Sequence, residues 1–104
     1  MGESNNPVGG LVISEDVIQK IAGIAVLEVP GVDGLLPSKG IKVVIGENGI
    51  KTDVFITVKA GARIQEVCDA VQQNVKDNVQ NMTGKMVDAV NVYIEDINLE
   101  ASAQ

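Results

Sequence analysis

Apolar residues recur along the chain in two different periods. Val17, Ile18, Ile21, Ala22 and Ala25 fall at helical spacing and make one stripe. Ser14 precedes them as the N-cap, with Glu15 and Asp16 in the first turn, where carboxylates suit the exposed N–H groups. Ile13 and Ile18 are placed for a hydrophobic staple across that cap. Pro30 disfavours a helical Val29, and Gly31 follows, so the helix is expected to stop near Glu28. Leu11–Ile13 offer a very short strand ahead of it. Residues 1–9, rich in Asn, Gly and Pro, read as a flexible lead.

Residues 31–39 read as a loop, after which the period changes to two. Ile41, Val43 and Ile45 alternate with other residues, as do Val54, Ile56 and Val58, around Asn48-Gly49. Asn-Gly between alternating runs predicts a hairpin with a type I′ turn. A two-residue turn there sets Ile45 opposite Thr52, Val43 opposite Val54 and Ile41 opposite Ile56. After Gly61 the helical period returns in Ile64, Val67, Cys68, Val71, Val75, Val79 and Met82, ending near Thr83-Gly84. Val90, Val92 and Ile94 then alternate in a last strand. The elements compose an α+β domain over residues 10–98, a (β)αββαβ two-layer sandwich. Two helices cover one face of a three- or four-stranded sheet, expected to be antiparallel. It is ferredoxin-like if residues 10–13 form a true strand. Residues 99–104 read as a flexible tail.

Composition narrows the chemistry. Among 104 residues there is no His, one Cys and two aromatics, Phe55 and Tyr93. Catalysis through His, Cys/His zinc sites and disulfide scaffolds within one chain are therefore excluded. Cys68 lies on the apolar stripe beside Asp69, with no His to activate it, and reads as a small buried hydrophobe. Glu95 and Asp96 are strand neighbours that point to opposite faces, so with Asp88 they read as solvated charge. The glycine pairs match neither a phosphate loop nor a dinucleotide fingerprint. No catalytic, cofactor or metal residue is expected, and the chain is read as a non-enzyme. The N-terminus shows no signal-peptide pattern, and no apolar run is long enough for a membrane span. A cytoplasmic protein is expected, peripheral at the membrane only through a partner, with no direct insertion.

The alternation carries one further expectation. If Val54, Ile56 and Val58 point inward, then Lys51, Phe55 and Lys59 point outward, and so do Val44 and Tyr93. These five are the candidate protein-interaction residues on the helix-free sheet face. The competing outcome is a bulge that tucks Phe55 into the core. Aromatics on such a face also suit base stacking, although DVFITVK lacks the Gly-aromatic pattern of RNA-recognition strands. Residues 39–63 carry five basic groups against Glu47 and Asp53, a net +3. The remainder, with three basic and twelve acidic, carries −9. The picture is a mildly basic hairpin on an acidic body of net −6. Nucleic acid is thus the lesser of the partner readings.

Three stretches together resemble the alkaline-shock-protein family of envelope stress response proteins from Gram-positive bacteria. They are GGLVISEDVIQKIAGIAVLEVPGVDGL, GIKVVIGENGIKTDVFITVKAGARIQEV and VQQNVKDNVQNMTGKMVDAVNVYIEDI, covering about residues 9–97. Ala60 stands where members often carry an aromatic, and Lys85 replaces a common apolar residue. The resemblance implies a non-enzymatic protein of cell-envelope homeostasis. It implies a cytoplasmic, self-associating protein that forms homo-oligomers and meets the membrane through membrane-associated envelope proteins. A nucleic-acid-binding module is the alternative, and a small-ligand regulatory domain a third reading with no pocket motif behind it.

Overall fold

Ser14 caps the first helix as its position suggested, its Oγ accepting from the Val17 N–H at 3.3 Å. The computed structural model describes residues 12–37 and 39–99. Helix α1 spans Glu15–Leu27, followed by strands β1 (Val32–Leu35), β2 (Ile41–Ile45) and β3 (Ile50–Lys59). Helix α2 (Ile64–Thr83) and strand β4 (Val87–Asn98) complete the chain. The α+β class and the two-layer arrangement stand as expected. The lead at residues 1–9, with Gly10 and Leu11, lies outside the described residues, as does the tail beyond Leu99. Val12 and Ile13 form no strand. The fourth strand is β1, inside the segment expected to be a loop.

Backbone accounting explains β1. The β2–β3 hairpin pairs only Ile50 to Val54, leaving half of a ten-residue strand with open hydrogen-bonding groups on that edge. Val32, Gly34 and Leu35 fill it opposite Val58, Thr57 and Ile56. β1 and β2 therefore lie end to end along the same edge. They meet at Phe55, whose N–H donates to Gly40 O and whose carbonyl accepts from Leu36 N–H, both at 2.9 Å. The Gly40 N–H donates back to Leu36 O at 2.8 Å, pinching the intervening loop.

Two expectations about the sheet are corrected. The hairpin pairs Ile45 with Ile50, Val43 with Thr52 and Ile41 with Val54. Its turn is Glu47-Asn48, closed by Gly46 N–H donating to Gly49 O at 2.9 Å. Neither Glu47 nor Asn48 takes the positive φ that a type I′ turn requires, and Gly49, at φ 147°, lies just after the turn. A Cβ there would meet Met86 O at 2.9 Å. The register has moved by two residues, so every side chain keeps its face. The sheet is also mixed: β4 runs parallel to β3, with α2 as the crossover that a parallel connection requires.

Ile50, Thr52, Val54, Ile56 and Val58 of β3 are buried against the helices. α2 contributes Val67, Val71, Val75 and Val79, spaced by four along one face, and α1 contributes Ile18, Ala22, Ala25 and Val26. At the ends of the expected α2 stripe, Ile64 and Met82 are exposed, and Cys68 is only half-buried.

Candidate functional site

Alternation on β3 turns Phe55 outward, opposite Tyr93 of β4. A register shift follows Ile56 on the β4 side, but it leaves Phe55 on the outer face. The ring centroids are 4.7 Å apart and the planes 17° from parallel. That separation matches the spacing between adjacent strands, so the rings stand upright and side by side across them. Lys39 Nζ and Lys42 Nζ lie over the Phe55 ring, 5.3 and 5.5 Å from its centroid. Phe55 is thus flanked by Tyr93 and by cations, while Tyr93 remains 40% exposed.

Polar rows border this ridge. Asn91 Nδ2 donates to Asp53 Oδ1 at 2.9 Å. Beyond it Val44, 61% exposed, pairs across the hairpin with Lys51. On the other side Thr57 Oγ1 and Asn98 Nδ2 both donate to Asp33 Oδ2, at 3.3 and 3.0 Å. Lys59 lies opposite Asn98, four residues from Phe55 and roughly 13 Å away along the strand. All five candidate residues share one face. Only Phe55 with Tyr93, and Val44 with Lys51, are brought together as pairs; Lys59 stands apart.

The basic hairpin looks different in space. β4 brings Glu95 Oε1 to 3.7 Å from Lys39 Nζ, and Asp88 lines a hollow with Val44 and Lys51. The lysines are interleaved with carboxylates from a strand some forty residues later in the chain. Lys39 and Lys42 belong to the aromatic ridge, although the sequence marked neither as a site residue. Lys42 reaches the ring through the hairpin register, and Lys39 through the β1–β2 junction, which has no local signature.

The remaining ionisable candidates are weakly placed for chemistry. Burial, and then Asp69, raise the Cys68 thiol above its ordinary pKa, which lowers its thiolate fraction. Asp96 Oδ1 accepts from the Ile97 N–H at 2.8 Å, and no three metal-ligating side chains converge among the described residues.

The helix layer carries a second surface. Two adjoining depressions of about 380 and 450 Å³ share Val29, Pro30 and Ala70. Asn74 Nδ2 ties the helices beside them, donating to Ala25 O at 2.7 Å and to Glu28 Oε1 at 3.3 Å. Glu66, Gln73 and Asp77 line the α2 side, with Arg63 paired to Glu66 at 3.4 Å. On α1, Ile24 (64% exposed) lies one turn before Glu28, with Val17 further along the same outward face and Leu27 also exposed.

The model of the alkaline-shock-protein family, described as having a "cell envelope-related function", matches residues 36–99. The match runs from the β1–β2 junction through both aromatics to the end of β4. The chain belongs to the alkaline-shock-protein family. Among its relatives, YqhY of Bacillus subtilis (strain 168) is 31% identical over 119 residues, covering 100% of this chain and 88% of YqhY. Spy1614 of Streptococcus pyogenes serotype M6 is 30% identical over 112 residues, covering 91% of this chain and 93% of its own. Membership carries a cell envelope-related function. The fold recurs in a variant of MamM CTD with a TM-score of 0.62 at 21% identity, over 78% of this chain and 90% of that one. No helix among the described residues is long and apolar enough to cross a membrane.

Proposed function

We propose that this family member serves the cell envelope as a non-enzymatic interaction module, self-associating and docking proteins held at the membrane from the cytoplasmic side. One observation carries the reading: the upright Phe55–Tyr93 pair, crowned by Lys39 and Lys42, on a sheet face that neither helix covers. Stacked aromatics with an exposed flank give contact area and orientation at small entropic cost. Base stacking is the weaker use of the same residues, because Tyr93 and the lysines already occupy both sides of Phe55 and acidic side chains surround the face.

Sedimentation velocity over a concentration series tests it. The expected result is concentration-dependent association, reduced in Phe55→Ser and in Tyr93→Ser, with circular dichroism unchanged. A chain that stays monomeric throughout, or variants that associate as the parent does, would overturn the open-face reading.

A further inference from the structure

We infer that the groove between the C-terminal end of α1 and the outer face of α2 is a docking site for a cationic amphipathic helix of a partner protein. The inference rests on the proposed docking role and assigns it a second surface. Pro30 and Ala70 are exposed and apolar, and with Val29 they form the floor where the two depressions meet. Ile24, one turn from Glu28, extends that apolar track along α1. Glu28 stands on one rim and Glu66 and Asp77 on the other, with Gln73 between the latter two. An apolar floor between carboxylate rims is the complement of a helix with aliphatic residues on one side and Lys or Arg on its flanks.

Charge selects this occupant over two others. The two helices and their caps carry Glu15, Asp16, Glu28, Glu66, Asp69 and Asp77 against Lys20, Arg63 and Lys76, six carboxylates to three cations. Arg63 offsets Glu66 at the groove's edge, and Glu28 with Asp77 leaves the rim net acidic. A second copy of a chain with net charge −6 meets repulsion here, and so does an anionic lipid surface. Basic segments flank the cytoplasmic ends of membrane helices, so proteins of the membrane present the required chemistry.

The probe is a synthetic 20-residue helix, about the length of five to six turns, with Leu on one face and Lys on the flanks. A counterpart with Glu in place of Lys and vesicles of anionic phospholipid serve as comparisons. Binding to the full chain is measured by fluorescence anisotropy at low and high salt. The cationic peptide is expected to bind, more weakly as salt rises, and the acidic peptide and vesicles are not. Glu66→Lys with Asp77→Lys should lower affinity at least about tenfold. Glu47→Lys with Asp88→Lys changes net charge equally, at the hairpin turn, and should have a much smaller effect. Equal losses in both double variants would reduce the effect to net charge and overturn the site. No binding by the parent chain, or vesicle binding in place of peptide binding, would overturn it too. Phe55→Ser should leave the peptide affinity unchanged; a loss there would move the site to the sheet. Sedimentation of the same samples separates the two readings, because a parent chain that stays monomeric, or a Phe55→Ser variant that associates as the parent does, removes the open-face reading, and intact peptide binding then leaves the groove.

Discussion

Thr52 shows how little separates a good core position from an uncomfortable one. Its side chain is fully buried on β3, and its Oγ1 has no hydrogen-bond partner. A buried hydroxyl without a partner loses its hydration and gains nothing in exchange. Thr52→Val keeps the shape and removes the hydroxyl, so it should raise stability by about 1 kcal/mol, read as a higher urea midpoint with an unchanged m-value. Alternation made the inward direction of Thr52 legible from sequence, as it did the outward direction of Phe55 and Tyr93. What alternation could not supply was contact. The stacking of those two rings depends on the β3–β4 register, and the cations above Phe55 come from Lys42 on the hairpin and Lys39 in a loop. The arrangement of charge in space is hidden for the same reason, since Glu95 reaches Lys39 only after α2 has carried the chain back to the sheet.

Elements with local causes were the readable ones. Ser14, the acidic first turn and Pro30 bound α1, and the valines spaced by four define the inner face of α2. β1 has no such cause. Its residues include Asp33 and Gly34, poor strand formers, and it exists because half of one β3 edge needed a partner. The joint that delivers it there is Gly31, at φ 96°, where an added Cβ would lie 2.7 Å from Val67 Cγ2. Gly31→Ala should therefore cost about 2 kcal/mol or more in urea denaturation, through backbone strain and the forced displacement of α2. Gly34→Ala is the comparison within the same strand. A Cβ there meets nothing nearer than Thr57 Oγ1 at 4.0 Å, and the change should stay within about 0.5 kcal/mol. The hairpin register differs by two from that of an Asn-Gly turn because Gly49 sits just after the turn, where β4 begins alongside.

At the scale of the molecule, the two proposed surfaces lie on opposite layers and should respond to salt in opposite directions. Association of identical chains through the open sheet face works against a net charge of −6 on each copy. Screening that repulsion should strengthen self-association as ionic strength rises above about 0.1 M, where the Debye length has shrunk to about 10 Å. Docking of a cationic helix in the acidic groove draws on attraction, so the same salt should weaken it. Sedimentation and peptide anisotropy on one salt series measure both. Parallel trends would show that the two surfaces do not act as separate electrostatic units.

The junction between β1 and β2 has a consequence for divergence among relatives. Leu36 and Gly40 anchor to Phe55 and to each other, so the loop between them is held at both ends. Strand pairing neither needs nor constrains the side chain of Lys39, yet it stands over the aromatic ridge. Substitutions at Lys39 can thus rewrite the chemistry beside Phe55 while both strand registers stay as they are. One scaffold can in this way diversify its contacts through a loop fixed at both ends, much as an interchangeable bit sits in a fixed chuck.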